Sequence, residues 1–235
     1  IVKKGIVYNV QDIFPHNAAQ IGTLRDGGML FRLFALLQRY AYRRSDHIIT
    51  ISEDMKQTLI TEGVAGENIS VVYNWSYRDE IIEIPDPENR FLSAHPSLCD
   101  FFRVVYAGNI GAMQQVEVLV HAAALLKEIE AIHFLIIGEG ARWETCRALA
   151  KEYSLKNVIF LPMQPAEMAS HIYSMAAVNI LPLAGGVIKT ALPSKTSTCL
   201  SCGKPIIACI DTDSHFAKQL ASCDNCAVVD SGDSR

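Results

Sequence analysis

The sequence predicts an α/β protein built on doubly wound parallel sheets, and three observations carry that reading. Strand-length apolar runs alternate with helix-period segments along almost all of the 235 residues, the pattern of a parallel sheet with crossover helices. The strand runs of the second half are near-continuously apolar, as expected where helices cover both faces of a sheet. One charged, proline-containing stretch between Tyr77 and Asp100 interrupts the alternation and divides the chain.

Taken in order, residues 6–10 read as the first strand. Residues 29–44 place Leu30, Leu33, Phe34, Leu37, Tyr40 and Ala41 at helical spacing and close on Arg43 and Arg44, cations suited to a helix C-terminus. A second strand occupies 47–51, and Ser52 is a good N-cap for a helix running to Gly63. A third strand follows at 69–73. Pro85, Pro87 and Pro96 mark a linker over 85–96. Beyond it, strands are predicted at 103–107, 133–137, 158–161, 178–181, 205–210 and 227–229. Helices are predicted between them at 116–127, 141–153, 166–175, 195–202 and 215–221. The division is therefore 1–84, the linker 85–96, and 97–235. The first part opens in a strand and the second stops where a further helix is expected. The sequence reads as a fragment, the later part of one α/β domain followed by most of another.

Composition narrows the function classes. Half of the residues are hydrophobic, 20% are charged and the formal net charge is −4, which argues against a disordered chain and against a nucleic-acid partner held by bulk electrostatics. No apolar run approaches the roughly 18–20 residues of a membrane span. Seven cysteines, an odd number scattered among apolar neighbours, suit reduced thiols in a cytoplasmic protein.

Ligands of parallel sheets sit at the carboxyl ends of the strands, and several of those ends carry glycine. Tyr106-Ala107-Gly108-Asn109-Ile110-Gly111 ends one strand, and Ile137-Gly138-Glu139-Gly140 ends the next. Glycines there let backbone approach a ligand and present N–H groups to a phosphate. Neither loop has the dinucleotide GxGxxG spacing. The fuller constellation is Gly185-Gly186, Lys189 and Leu192-Pro193-Ser194-Lys195, where a glycine loop, two lysines and a helix start converge on one strand end. That combination suits a diphosphate.

Pro193-Ser194-Lys195 followed by Cys202-Gly203-Lys204-Pro205-Ile206-Ile207-Ala208 resembles the C-terminal signature of glycosyltransferase family 4. The nearest type is the bacterial enzymes of O-antigen, capsule and colanic-acid synthesis. The loop from Tyr106 to Gly111 with Gln114, the segment from Val10 to Pro15, residues 157–162 and Leu181-Pro182-Leu183 are similar to the same family in the same order. The resemblance implies a GT-B architecture, two Rossmann-like domains facing across a cleft. It also implies sugar transfer with retention from a UDP or GDP sugar, no bound metal, and a lipid-linked or saccharide acceptor. Peripheral contact with the inner face of the cell membrane follows from the same likeness.

Carried over by residue, the resemblance puts Gly108, Asn109 and Gly111 near the diphosphate or sugar. It puts Met163 near the base, and Gly185, Gly186, Ser194 and Lys195 on the phosphates. Gly138 joins them from its glycine loop. Lys195, Lys189 and Glu139 become the candidate catalytic residues, and Asp12 an acceptor-side candidate. The chain departs from the family in its first loop, where Asn109, Ala112 and Met113 stand in place of basic residues. It departs again at Thr190 and Thr198, where two glutamates are usual; Thr198 remains a substrate-binding candidate. In such a transfer the leaving diphosphate accepts the acceptor's proton, so the protein mainly positions substrates and stabilises phosphate charge. Two alternatives belong to other classes: a nucleotide- or phosphosugar-binding module without catalysis, and a GT-B epimerase of nucleotide sugars.

Two other motifs carry less. Cys199-x2-Cys202 and Cys223-x2-Cys226 match a zinc spacing, but a complete strand and helix lie between the pairs. The helix over 29–44, with Arg32, Arg39, Arg43 and Arg44 among Phe31, Phe34, Tyr40 and Tyr42, suits either a core helix with a solvated face or contact with anionic lipid.

Overall fold

A computed structural model describes residues 5–74 and 82–234. Two parallel sheets are present. The first has the order β1-β2-β3, from Val7–Val10, His47–Thr50 and Ile69–Val71. The second contains β4 (Phe102–Asn109), β5 (Ile132–Glu139), β6 (Val158–Leu161), β7 (Val178–Pro182), β8 (Ile206–Cys209) and β9 (Cys226–Val229), in the order β6-β5-β4-β7-β8-β9. Counted within its own unit that order is 3-2-1-4-5-6, the doubly wound arrangement whose crossovers diverge between the first and fourth strands. Here those strands are β4 and β7, paired through Val104–Val178 and Val105–Asn179.

The helices of the first unit are α1 (His16–Gln20), α2 (Met29–Arg44) and α3 (Glu53–Thr61). Ser52 caps α3 as its sequence position predicts, its hydroxyl accepting from Met55 N at 3.1 Å. Val10, Ile13, Tyr42, Ile48, Met55, Leu59 and Ile69 form the core. The outer side of α2 exposes Met29, Leu30, Leu33, Leu36, Leu37 and Tyr40 beside Arg32, Arg39, Arg43 and Arg44.

In the second unit α5 (Glu117–Leu125) and α6 (Trp143–Glu152) cover one face, and α7 (Ala169–Ser174), α8 (Lys195–Ser201) and α9 (His215–Ala221) cover the other. The near-continuously apolar strands that alternate with helices are thus explained by burial on both sides. Gly203, at φ +67°, ends the turn after α8 in the left-handed region, a conformation that favours glycine.

Residues 85–96 differ from a free linker. Asn89 caps α4 (Arg90–Ala94) by accepting from Phe91 N and Leu92 N, and its amide donates to the His171 carbonyl at 2.7 Å. Phe91, Leu92 and Leu98 are buried in the core of the second unit. Arg103 ties the segment down, donating to the carbonyls of Met175 and Leu98 and pairing with Asp86 at 2.5 Å. Sparse but well-placed apolar residues dock this stretch despite its prolines and charges. Residues 77–81 of the interrupting segment lie outside the described residues.

Candidate functional site

The crevice opens where β4 and β7 part, at their carboxyl ends, and the first unit closes it from the other side. Its volume is about 440 Å³. The second unit contributes Ala107, Gly108, Asn109, Met113, Gln114, Tyr173, Leu181–Leu183, Val187 and 191–195, and the first contributes Gln11, Asp12, Ile51 and Asn74.

Lys195, the first residue of α8, supplies its cation. The ammonium Nζ donates to the Ala107 carbonyl at 2.9 Å and lies 3.9 Å from the centroid of the Tyr106 ring. Tyr173 OH donates to the same carbonyl at 3.0 Å. A Cβ on Gly108 would sit 2.5 Å from Nζ, so the glycine at φ +140° makes room for the lysine. Burial penalises the charged amine and lowers its pKa to about 8. The same cause raises both phenols, Tyr106 and Tyr173, above their ordinary value. Asp12 joins the cleft wall through a β-bridge to Ala191, and partial burial raises its carboxyl.

Of the residues singled out from sequence, the cleft lining brings together Lys195, Ser194, Gly108, Asn109 and Asp12. The others lie elsewhere, each for a visible reason. Lys189 has an exposed side chain and turns its carbonyl to Thr58 Oγ1 at 2.8 Å. Glu139 is exposed at the end of β5, where its carbonyl accepts from Ile110 N. Gly138 answers a backbone need: a Cβ there would come within 1.9 Å of the Gly108 carbonyl. The amide of Gly111 donates to Gln114 Oε1 at 3.2 Å. The Gly186 amide is held by the Asp211 carboxylate at 2.7 Å, and its carbonyl accepts from Gln20 Nε2 at 2.9 Å. Gly185 lies against Ser231 and Asp211. Met163 is exposed beyond β6, and Thr198 is half-buried within α8.

Thr190 stands at one of the two positions where the resemblance drawn from the sequence implies a glutamate. It is 3% exposed and donates to Gln20 Oε1 at 2.7 Å, while its carbonyl accepts from Ile13 N at 2.9 Å. The segment from Gly186 to Ala191 therefore fastens the second unit to the first just ahead of Lys195. His16 pairs with Glu62 at 3.1 Å and packs on Phe31 outside the cleft lining. Of the four zinc-spaced thiols, Cys199 and Cys202 are buried in the core, while Cys223, in the turn before β9, and Cys226, the first residue of β9, are half-buried. Sequence reasoning missed Tyr173 and Asn74 as cleft residues and held Gln11 only within the segment from Val10 to Pro15. It had Tyr106 only as part of a motif, and its aromatic type ahead of the glycine loop was the one available signal.

Residues 102–235 match the family model described as glycosyl transferases group 1, and residues 7–75 match that of a glycosyl transferase 4-like domain. The chain belongs to the group 1 glycosyl transferases. It is 29% identical over 178 residues, 75% of its length, to WcaI of Escherichia coli K12, a protein named for colanic acid biosynthesis glycosyl transfer. It is 24% identical over 211 residues, 89% of its length, to WbjE of Pseudomonas aeruginosa, named as a glycosyltransferase. These matches cover 44% and 52% of the two relatives, so the chain spans about half the length of the curated relatives it matches. The crystal structure of Anabaena HepE in complex with UDP and glucose superposes with a TM-score of 0.74 at 17% identity, covering 98% of this chain and 59% of that one. The fold of this family member is the GT-B type that its sequence resembles.

Proposed function

We propose that the chain is the donor-binding part of a glycosyltransferase of cell-surface polysaccharide synthesis, and that the cleft beside Lys195 holds a nucleotide-diphosphate sugar. One observation carries the reading: a half-buried ammonium faces a crevice at the switch point of a doubly wound sheet, where such sheets take their ligands. The UDP held by the Anabaena neighbour supports UDP as the carrier.

In the proposed step the bond between the anomeric carbon and the β-phosphate oxygen breaks, and a bond to the acceptor oxygen forms on the same face. The acceptor's hydroxyl proton passes to the leaving phosphate, and Lys195 offsets the charge that develops there. Asp12 reaches the cleft from the first unit and orients the acceptor, a lipid-linked or saccharide hydroxyl. The protein works at the cytoplasmic face of the membrane in this reading. The apolar and arginine-bearing side of α2 supports peripheral contact with anionic lipid there. Among the described residues no helix is long and apolar enough to cross a membrane.

The epimerase alternative needs acid and base groups around the sugar. Asp12 is the sole carboxylate among the described cleft-lining residues, and no histidine is among them; transfer is therefore preferred. The test is calorimetric titration with UDP, GDP and UDP-glucose, repeated with Lys195→Ala. Saturable binding of one diphosphate that weakens at least tenfold in the variant supports the reading. Absence of binding to all three defeats it.

A further inference from the structure

The surroundings of Lys195 contain donors and an aromatic face but little to balance a charge. From β4 come the Ala107 carbonyl and the Tyr106 ring, from α7 the hydroxyl of Tyr173, and from α8 the thiol of Cys199 one turn on. Across the cleft stands Asp12. Both phenols are raised, and the Cys199 thiol is pushed up to about 12, so all three stay neutral at ordinary pH. Among the described residues no carboxylate lies within 4.0 Å of Nζ. Tyr106 is itself fixed: it is 1% exposed, and its hydroxyl donates to the Asn109 carbonyl.

We infer that Tyr106 positions Lys195 as a lone cation in the cleft, and that a nucleoside diphosphate binding there draws a proton onto the lysine as the solution becomes basic. The inference rests on the donor reading given above. A ring face attracts a cation without neutralising it, and the carbonyl accepts a hydrogen bond without carrying a formal charge. The counter-charge is thus left to the ligand. In the empty cleft the amine loses its proton as pH rises through about 8; a bound diphosphate favours the ammonium. Above that pH, binding moves one proton from buffer to Nζ, and affinity falls by about tenfold between pH 7 and pH 9.

The experiment is isothermal titration of this chain with UDP at pH 7, 8 and 9, in two buffers of different ionisation enthalpy. Proton uptake near zero at pH 7 and approaching one at pH 9 is expected. Lys195→Arg keeps its charge throughout and should bind UDP without uptake. Tyr106→Phe keeps the ring and should keep the uptake midpoint near that of the wild type, whereas Tyr106→Leu should weaken binding and move the uptake midpoint to lower pH. Tyr106→Met, close in volume, serves if the leucine variant does not fold. Wild-type binding without uptake at pH 9, or equal uptake by Lys195→Arg, overturns the proton step. A midpoint that is the same with and without the ring removes Tyr106 from the account. Failure of the wild type to bind UDP, GDP and UDP-glucose at pH 7 overturns the donor reading together with this inference, so the two failures are told apart.

Discussion

The carboxylate of Asp54, in the first turn of α3, accepts a hydrogen bond from the amide of Phe216 in α9 at 2.9 Å across the two units. Its other oxygen takes the neighbouring amide of His215 at 2.8 Å. Asp54 is only 7% exposed, so these charge-assisted bonds are formed largely out of water. Asp54→Ala strips both and leaves two amides at a helix start without partners. The variant is expected to lose about 2 kcal/mol of stability, read as a lower denaturation midpoint. Asp54→Asn, which keeps one acceptor oxygen, should lose less.

Glycine-to-alanine exchange separates two kinds of glycine at the strand ends. Gly138→Ala places a methyl 1.9 Å from the Gly108 carbonyl at a φ of +153°, which demands that β4 and β5 part. A loss of more than about 3 kcal/mol, or failure to fold, is expected. Gly185→Ala meets Ser231 Oγ at 3.2 Å and Asp211 Oδ1 at 3.6 Å, and should cost about 1 kcal/mol or less. Thermal melts of both variants decide the ranking, and equal losses would contradict the geometry.

Replacement of Lys195 by Met is expected to stabilise the ligand-free chain at pH 7 by about 1–2 kcal/mol, because it removes a charge held largely out of water. The native amine has a lowered pKa near 8 against 10.5 unfolded, so the unfolded chain binds more protons between those values. Wild-type stability therefore rises with pH across that window, and the advantage of the variant shrinks toward pH 10. Urea midpoints at pH 7, 8.5 and 10 check the slope; a constant difference would mean the amine is as well solvated folded as unfolded.

Thiol labelling should divide the cysteines. Cys99 is exposed and Cys223 and Cys226 are half-buried, while Cys146, Cys199, Cys202 and Cys209 are buried. Burial pushes Cys146 and Cys199 up to about 12 and Cys209 to about 11, leaving almost no thiolate at pH 8. Three of the seven are expected to react quickly with an aromatic disulfide reagent in native buffer, and all seven in denaturant.

Asn89→Ala removes the cap of α4 and the bond to the His171 carbonyl together. A loss of about 2 kcal/mol is expected, with faster hydrogen exchange confined first to residues 85–98. Exchange rising evenly over the whole second unit instead would mean that this segment does not open on its own.

Local signals made much of this fold legible. The Met29–Arg44 helix has its predicted bounds, as do the Val158–Leu161 strand and the His215–Ala221 helix; in the last of these the Ser214 cap and the burial of Phe216, Ala217 and Leu220 agree with the periodicity. Residues 85–96 misled because Phe91 and Leu92 bury themselves from among prolines and charges. At the cleft, Lys195, Ser194 and Gly108 could be read from a cation and small residues beside a helix start. Tyr173 could not, since its approach to Ala107 depends on packing of α7 over β4. Lys189 and Gly186 lie outside the cleft lining for a related reason: the polar groups of their segment are turned toward Gln20, Thr58 and Asp211, which no spacing rule announces.

The order β6-β5-β4-β7-β8-β9 has a consequence for how such a chain changes over time. Two neighbouring strands whose connections leave in opposite directions must open a gap at their tips, whatever side chains they carry. A descendant that exchanged Lys195, Asn109 and Asp12 for other residues would still possess the gap. The place of the crevice is thus inherited with the connectivity, and its lining is left to a handful of loop positions that can be rewritten without disturbing the frame.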